Sequence, residues 1–208
     1  MPARLRPTAP IAADAILVGD PGRALMLAQE LLQQPKMSNH ARGLWGYTGV
    51  THEGRELTVQ STGMGGPSAT VVLHDLAELG LRRAVRIGTC TSLGEPELGE
   101  LVIATEANEA RPSRELTAAL KERLGKEGHP SSVASLDALH RHHDEIEVDA
   151  AVADMQTAAL FSAAGRLDVA AAALLIVSET RNGETLDDDA LEAAAKQAGT
   201  AAGNILST

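Results

Sequence analysis

Four segments that combine glycine with polar or charged side chains could bind a ligand or take part in catalysis. Each follows a short apolar run, and in chain order they are Gly19-Asp20-Pro21-Gly22-Arg23, Ser61-Thr62-Gly63-Met64-Gly65-Gly66-Pro67-Ser68, Arg86-Ile87-Gly88-Thr89-Cys90-Thr91 and Ser178-Glu179-Thr180-Arg181-Asn182-Gly183. The first joins backbone N–H groups, a predicted helix start and an arginine, which together suit a small anion. The glycines of the second let the backbone approach a ligand closely. Taken singly, each of these first two segments also fits an ordinary turn between a strand and a helix.

Two charged side chains stand directly in or after apolar strands. Arg86 lies inside an otherwise apolar run, where a buried guanidinium requires an anionic partner. That partner is either a ligand or a carboxylate in an internal salt bridge. Glu179 follows a wholly apolar strand and suits general-acid work, although a solvated loop carboxylate fits the same position.

The spacing of apolar residues predicts strands that alternate with helices. The predicted strands span residues 15–18, 47–51, 57–61, 83–88, 100–105, 150–153 and 169–178, and the predicted helices span residues 21–34, 67–79, 114–124, 155–164 and 187–206. This alternation predicts an α/β protein, a three-layer α/β/α sandwich around a mixed, mostly parallel sheet. We expect one domain over residues 1–208, with the polar stretch 125–145 as a surface excursion. In such sheets ligands bind at the carboxyl ends of strands, which is where the four segments lie.

Composition excludes several classes of partner. The chain has 208 residues, a net charge of -10 and only three aromatic residues, which are Trp45, Tyr47 and Phe161. An acidic chain without a basic run, and with so little to stack on bases, is not expected to bind nucleic acid. The longest apolar run, residues 169–177, is too short to cross a membrane, and the start of the chain has no signal-peptide pattern. We therefore expect a cytoplasmic protein with no membrane partner.

Metal binding is not expected either. The single cysteine, Cys90, excludes an internal disulfide and a cysteine-based zinc site. His140, His142 and His143 lie near two acidic residues, but no two of them have the i, i+4 spacing on one helix face. Polar surface loops often collect such residues, so we assign no metal ligand.

The four segments resemble the nucleoside phosphorylase family, of the hexameric purine nucleoside and uridine phosphorylase type. Two further segments carry the same resemblance, Ala41-Arg42-Gly43-Leu44-Trp45-Gly46-Tyr47-Thr48-Gly49 and Asp154-Met155-Gln156-Thr157-Ala158-Ala159. The resemblance implies the nucleoside phosphorylase fold. It implies reversible phosphorolysis of a nucleoside, in which phosphate attacks the anomeric carbon and gives free base and ribose 1-phosphate. It implies no cofactor, with inorganic phosphate as co-substrate.

The resemblance also assigns roles to individual residues. Phosphate would be bound by Gly19, Arg23, Arg42, Arg86 and Thr89, the sugar by Met64, Met155 and Gln156, and the base by Cys90, Thr91, Ala134, Ser178 and Glu179. Arg86 and Glu179 would be catalytic, with Glu179 assisting the departure of the base. Arg42 matches an arginine that the family lends to a neighbouring subunit. This implies a homo-oligomer, at least a dimer and by resemblance a hexamer built as a trimer of dimers.

Several positions depart from the family pattern. Gln156 stands where the family has a glutamate that holds the ribose hydroxyls, and Ala134 stands where an aromatic side chain stacks on the base. No histidine precedes His40 to replace the N-terminal one that the family places at the ribose 5′-hydroxyl. If Gln156 faces the sugar, Gln156→Glu should strengthen ribonucleoside use. The departures leave two alternatives, a hydrolytic nucleosidase of the same superfamily and a non-catalytic relative that binds phosphate or sugar phosphate.

Overall fold

The computed structural model describes residues 4–139 and 148–207. Strands and helices alternate along these residues. The strands are β1 (Asp14–Val18), β2 (Leu32–Asn39), β3 (Gly46–Thr51), β4 (Glu56–Ser61), β5 (Arg83–Ser92), β6 (Leu101–Ala107), β7 (Gly128–Ser135), β8 (Val152–Asp154) and β9 (Ala170–Thr180). The helices are α1 (Pro21–Leu31), α2 (Gly66–Glu78), α3 (Arg114–Leu124), α4 (Thr157–Leu167) and α5 (Asp188–Leu206), with single 3₁₀ turns at Ala41–Gly43 and Gly125–Glu127.

The strands form one mixed sheet of nine in the order β2-β3-β4-β1-β5-β8-β7-β6-β9. Strand β1 runs parallel to β4 and to β5, and β5 runs parallel to β9. Because β9 pairs with both β5 and β6, the last five strands of this order close into a ring. Five of the nine strand pairings are parallel, in agreement with the mixed, mostly parallel sheet that the sequence predicts.

Helices cover both faces of this sheet, because successive residues of a strand point to opposite sides. In β1, Ile16 and Val18 join a hydrophobic cluster with α1, α3 and α5, whereas Ala15 and Leu17 join a second cluster with α2 and α4. Small residues allow close packing on the first face, where a Cβ atom on Gly199 of α5 would collide with Leu27 of α1. The two clusters give the layered arrangement that the alternation of elements predicts.

The prediction that residues 125–145 form a surface excursion is wrong for residues 128–135. Gly128–Ser135 forms β7, which lies within the sheet between β6 and β8. Polar residues in the first half of this strand hide the alternation that would have revealed it, and only Val133 and Ala134 contribute buried apolar side chains.

The predicted helix over residues 21–34 is also too long at its end. It stops at Leu31, and Leu32–Asn39 continues as β2 at the edge of the sheet. Proline and exposed polar residues at positions 33–36 suit an edge strand but carry no strand-like apolar pattern. Within the described ranges, no helix is both long and apolar enough to cross a membrane.

Candidate functional site

A cavity of about 500 Å³ opens where β1, β4, β5 and β8 end or approach their ends. It is lined by Gly19, Asp20, Pro21, Arg23, Gly63, Met64, Gly65, Arg86, Gly88, Thr89, Leu139, Met155 and Gln156. The first three of the four predicted segments therefore meet at one site, together with the segment that precedes α4. The fourth segment, around Glu179, does not line this cavity.

The start of α1 places Arg23 in the cavity. Asp20 has an extended backbone and caps the helix, since its Oδ1 atom accepts the backbone N–H of Arg23 at 2.7 Å. Pro21 occupies the first helical position, as the sequence predicts. The positive end of the helix dipole and the Arg23 guanidinium therefore lie at the same wall, which favours an anion.

Arg23 is half-buried, and no hydrogen bond or ion pair joins its guanidinium to any residue in the ranges 4–139 and 148–207. Burial lowers the pKa of Arg23, Asp20 acts in the opposite direction, and the nearby Arg86 lowers the pKa further. Two guanidinium groups thus share one cavity, and that of Arg23 is not held by a hydrogen bond or ion pair among the described residues. A bound anion would offset both the cost of burying the Arg23 charge and the repulsion between the two guanidinium groups.

Arg86 is 5% exposed and is held by three neighbours on the segment that leads into α4. Its Nη2 atom forms an ion pair with Asp154 Oδ2 at 3.0 Å, and its Nη1 atom donates to Gln156 Oε1 at 2.6 Å. Its Nε atom donates to Thr157 Oγ1 at 3.2 Å. The internal salt bridge expected as an alternative is present, yet Arg86 also lines the cavity, and two of its five N–H groups have no acceptor in the described chain.

Asp154 is the residue at this site that sequence analysis left without a role. It is fully buried, and besides Arg86 it accepts hydrogen bonds from Ser135 Oγ at 2.5 Å and from Thr157 Oγ1 at 2.6 Å. Burial by itself raises the pKa of Asp154, but Arg86 and these hydrogen bonds outweigh burial and hold the pKa below its usual value. The available signal was a carboxylate immediately before Met155-Gln156, because buried Arg86 required an anionic partner and an internal carboxylate was one of the two alternatives.

A glycine makes room for the Arg86 guanidinium. A Cβ atom on Gly88 would lie 2.6 Å from Arg86 Cζ, which is too close for any real contact. The arginine therefore folds back along its own strand over Gly88. The same cavity wall includes Gly63 and Gly65, whose φ angles of 70° and 81° fall in the left-handed region that favours glycine.

Gln156 is 3% exposed, and its amide group is fully engaged with the protein. Its Nε2 atom donates to the carbonyl oxygens of Gly63 at 2.6 Å and Gly65 at 3.2 Å. Its Oε1 atom accepts from Arg86 and, at 3.3 Å, from Thr62 Oγ1. An amide offers two donors and two main acceptor positions, so in this conformation nothing remains for a ligand. The side chain ties the glycine-rich loop to Arg86.

The remaining residues with predicted phosphate and sugar roles fall into two groups. Gly19, Thr89, Met64 and Met155 line the cavity, and Met64 stands 85% exposed at its rim. Arg42 lies elsewhere, in a second cavity that shares no lining residue with the first.

The residues with predicted base-binding roles do not line the main cavity. Cys90, Thr91 and Ala134 are buried in the sheet, while Ser178 and Glu179 are half-buried near the end of β9. Burial, with a further contribution from Asp154, raises the pKa of Cys90 far above its ordinary value, and Arg86 opposes this only in part. A buried thiol with a raised pKa is poorly suited to act as a nucleophile.

Among the residues that the structure describes, no group of three histidine, cysteine, aspartate or glutamate side chains is arranged to hold a metal ion. The histidine cluster at His140, His142 and His143 lies outside the described residues. The absence of a metal ligand thus stays a prediction for that segment.

The sequence of this chain is similar to those of known proteins. A model of the phosphorylase superfamily matches residues 14–110, which include the first three glycine-containing segments. The DeoD-type purine nucleoside phosphorylase of Caldanaerobacter subterraneus subsp. tengcongensis is 30% identical over 198 residues, covering 82% of this chain and 84% of that protein. The chain belongs to the nucleoside phosphorylase family. A second family relative, the DeoD-type purine nucleoside phosphorylase of Clostridium perfringens, is 29% identical over 194 residues, covering 81% of this chain and 82% of its own.

Solved structures of this family share the fold. The uridine phosphorylase of Vibrio fischeri, in complex with 6-hydroxy-1-naphthoic acid, has a TM-score of 0.85 at 22% identity and is matched over 94% of this chain and 91% of its own. A uridine phosphorylase of the oomycete Phytophthora capsici has a TM-score of 0.88 at 18% identity, over 99% of this chain and 94% of its own. The predicted family and the predicted α/β fold are both confirmed.

Proposed function

We propose that this nucleoside phosphorylase family member cleaves the N-glycosidic bond of a nucleoside with inorganic phosphate. The observation that carries the proposal is the Arg23 guanidinium, which is half-buried beside Arg86 and forms no hydrogen bond or ion pair in the described chain. A phosphate dianion supplies two negative charges and several acceptor oxygens for these two arginines. The relatives named as purine nucleoside phosphorylases support the same reaction class.

In the proposed complex, phosphate occupies the wall of the main cavity formed by the start of α1 and by β5. Arg23 and Arg86 donate from their guanidinium groups, and Gly19 and Thr89 add a backbone N–H and a hydroxyl group. Residues Met64 and Met155 line the remaining space, where the sugar would lie against them. The proposed base-side residues, Glu179 among them, lie beyond this cavity.

The reaction follows from this placement. A phosphate oxygen forms a bond to the anomeric carbon as the bond from that carbon to the base nitrogen breaks. The bonding electrons leave with the base, which takes up a proton, and Glu179 is the proposed donor. The developing positive charge on the sugar lies next to the phosphate anion, which stabilises it. No cofactor besides phosphate is required.

We also propose a homo-oligomer, at least a dimer. Arg42 is assigned to the phosphate by resemblance, yet in its own chain it lines a separate cavity. Arg42 would therefore serve the phosphate site of a neighbouring copy. The single domain, the cytoplasmic location and the lack of a nucleic-acid partner stay predictions from the sequence.

The test is a screen of purified protein against purine and pyrimidine nucleosides, with and without phosphate, measuring free base and ribose 1-phosphate. Release of base that requires phosphate and is lost in Arg23→Ala supports phosphorolysis. Release of base at the same rate without phosphate indicates hydrolysis and contradicts the proposal. The matched control is Arg55→Ala, which removes an exposed arginine outside the cavity.

A second candidate is a relative that binds phosphate or sugar phosphate without turnover. It is favoured by the fully engaged amide of Gln156, which leaves this residue nothing to offer a ribose hydroxyl. In that case calorimetry would detect phosphate binding that depends on Arg23, while no nucleoside would release base.

A further inference from the structure

The Ser135 hydroxyl group connects the end of β7 to the carboxylate that holds Arg86. Its Oγ atom donates to Asp154 Oδ1 at 2.5 Å and accepts the backbone N–H of Ala158 at 2.9 Å. A hydroxyl group has a single proton, and the N–H of Ala158 is itself a donor, so the Ser135 proton is directed at Asp154. The two partners therefore hold the hydroxyl group in one orientation.

The backbone of Ser135 is fixed as well. Asn108 Oδ1 accepts the N–H of Ser135 at 2.9 Å, and Asn108 Nδ2 donates to the carbonyl oxygen of Ser135 at 3.2 Å. The backbone N–H of Asn108 donates to the carbonyl oxygen of Val133 at 3.0 Å. Asn108 has a φ angle of 49°, in the left-handed region that asparagine adopts more readily than most residues. Three hydrogen bonds from one residue thus set the point from which Ser135 reaches Asp154.

The two oxygens of the Asp154 carboxylate have different partners. Oδ2 lies 3.0 Å from Arg86 Nη2, and it also accepts the hydroxyl group of Thr157 at 2.6 Å and the N–H of Thr157 at 3.1 Å. Oδ1 accepts from Ser135 and, at 3.2 Å, from the same Thr157 N–H. The Ser135 hydroxyl group is therefore the main donor to Oδ1, and Arg86 pairs with Oδ2 alone.

This division leaves part of the Arg86 guanidinium available. Arginine and carboxylate groups often pair at two points, with both oxygens accepting from the guanidinium. Asp154 makes one such contact, and Arg86 Nε donates to Thr157 Oγ1 instead. Within the described chain, two of the five N–H groups of Arg86 have no acceptor, and Arg86 lines the main cavity. Without a hydroxyl group at residue 135, Oδ1 would keep only its long contact, and the carboxylate would turn to place both oxygens on Arg86.

We propose that Ser135 is a positioning residue for phosphate binding, which holds one oxygen of Asp154 away from Arg86 and so keeps guanidinium N–H groups available to phosphate. Ser135 does not line the main cavity, so it acts through Asp154 rather than on phosphate itself. The inference rests on the phosphate site of the proposed function. It concerns the binding of phosphate and holds with or without turnover.

Calorimetric titration with inorganic phosphate tests this role by comparing wild type with Ser135→Ala. The variant should bind phosphate about tenfold more weakly, which is the effect of losing one charge-assisted hydrogen bond. In turnover, the KM for phosphate should rise by the same factor, while kcat and the KM for the nucleoside change little. Ser135→Thr keeps the hydroxyl group and should restore most of the affinity. Ser135→Cys keeps the size of the side chain but has a weak donor, so it should resemble Ser135→Ala.

Ser113→Ala is the matched control. Ser113 Oγ accepts the N–H of Leu116 in the first turn of α3, as Ser135 Oγ accepts the N–H of Ala158 in the first turn of α4. Each alanine variant removes such an acceptor, and urea denaturation should show similar losses of unfolding free energy. Only Ser135→Ala should lose phosphate affinity. An equal loss in both variants, unchanged affinity in Ser135→Ala, or no recovery in Ser135→Thr would overturn the proposal.

A crystal structure of Ser135→Ala without phosphate tests the cause directly. Both oxygens of Asp154 should contact Arg86, and a carboxylate that keeps its wild-type contacts with Arg86 overturns the positioning role.

The same measurements separate this role from the proposed reaction. Phosphate affinity that falls in Ser135→Ala and returns in Ser135→Thr, with no base released from any nucleoside, supports the role of Ser135 and contradicts phosphorolysis. Phosphate-dependent base release with the same KM for phosphate in Ser135→Ala contradicts the role of Ser135 alone. A wild-type protein that binds no phosphate overturns both.

Discussion

Gln156→Glu replaces the amide that ties the glycine-rich loop to Arg86. The carboxylate keeps an acceptor for Arg86 but loses both donors to the carbonyl oxygens of Gly63 and Gly65. One carboxylate oxygen would then face two carbonyl oxygens at the positions where Nε2 now lies at 2.6 and 3.2 Å. The substitution therefore turns two attractive contacts into repulsive ones.

The magnitude follows from these contacts. Two lost hydrogen bonds cost roughly 1–3 kcal/mol, because each contributes about 0.5–1.5 kcal/mol. A stronger pairing with Arg86 offsets about 1 kcal/mol of this loss. This leaves a loss of about 0–2 kcal/mol, to which the repulsion from the two carbonyl oxygens adds, so we expect the free energy of unfolding to fall by about 1–2 kcal/mol. A second carboxylate on Arg86, in addition to Asp154, would also compete with phosphate and weaken its binding by about tenfold.

Urea denaturation measures the first effect, and the KM for phosphate or calorimetric titration with phosphate measures the second. Hydrogen exchange should report faster opening of the backbone at residues 62–66. Gln29→Glu is the matched control, because it makes the same change at an exposed position of α1. Unchanged unfolding, together with a higher kcat/KM for ribonucleosides, would refute this reasoning and show that residue 156 faces the sugar.

Three further predictions concern the same cavity. Arg23→Ala should weaken phosphate binding at least about tenfold with little change in the unfolding free energy, because its guanidinium forms no hydrogen bond or ion pair in the described chain. Calorimetry showing unchanged affinity would contradict this. Gly88→Ala should displace the Arg86 guanidinium and raise the KM for phosphate, whereas Gly94→Ala, where a Cβ atom meets nothing within 4 Å, should not. Asp154→Asn should lower stability at pH 7 by about 3–5 kcal/mol, because it leaves Arg86 buried without its counter-charge. Because the pKa of Asp154 is lower in the folded protein, Asp154 stabilises the fold above the ordinary aspartate pKa near 4, and this stabilisation is lost as pH falls through the folded pKa. Urea denaturation at pH 7 and pH 3 should therefore show a smaller difference in unfolding free energy between wild type and Asp154→Asn at pH 3. An equal difference at both pH values would contradict the role assigned to Asp154.

Local signals predicted the start of α1 correctly. The Asp20 cap and Pro21 follow from residue preferences at helix starts, which act over a few residues and are visible in the sequence. Arg86 in an apolar strand demanded an acid, and the acid is Asp154, 68 residues further along the chain. The demand could be predicted, but the identity of the partner depends on the pairing of distant strands.

Other features had no local signal. Strand β7 is stabilised by its two neighbours in the sheet and carries few apolar residues, so its pattern resembles that of a polar loop. The direction of the Gln156 amide depends on carbonyl groups 91 and 93 residues earlier in the chain. The first residues of the chain showed no replacement for the family's N-terminal histidine. Arg4 and Arg6, which line the same cavity as Arg42, are placed there by Asp75 and Asn39, which no periodicity connects to them.

The closure of five strands into a ring also determines how the sheet meets other chains. Each strand of the ring has neighbours on both sides, so the described sheet has one open edge, the outer side of β2. That edge carries Pro35 and Lys36, its register with β3 is irregular, and Thr8 of the N-terminal segment already donates its N–H to the carbonyl of Ser38. Proline, lysine and broken register are the features that prevent a further strand from adding to an edge. The sheet is therefore protected against edge-to-edge aggregation, and association between copies should proceed through side-chain surfaces rather than by extension of the sheet.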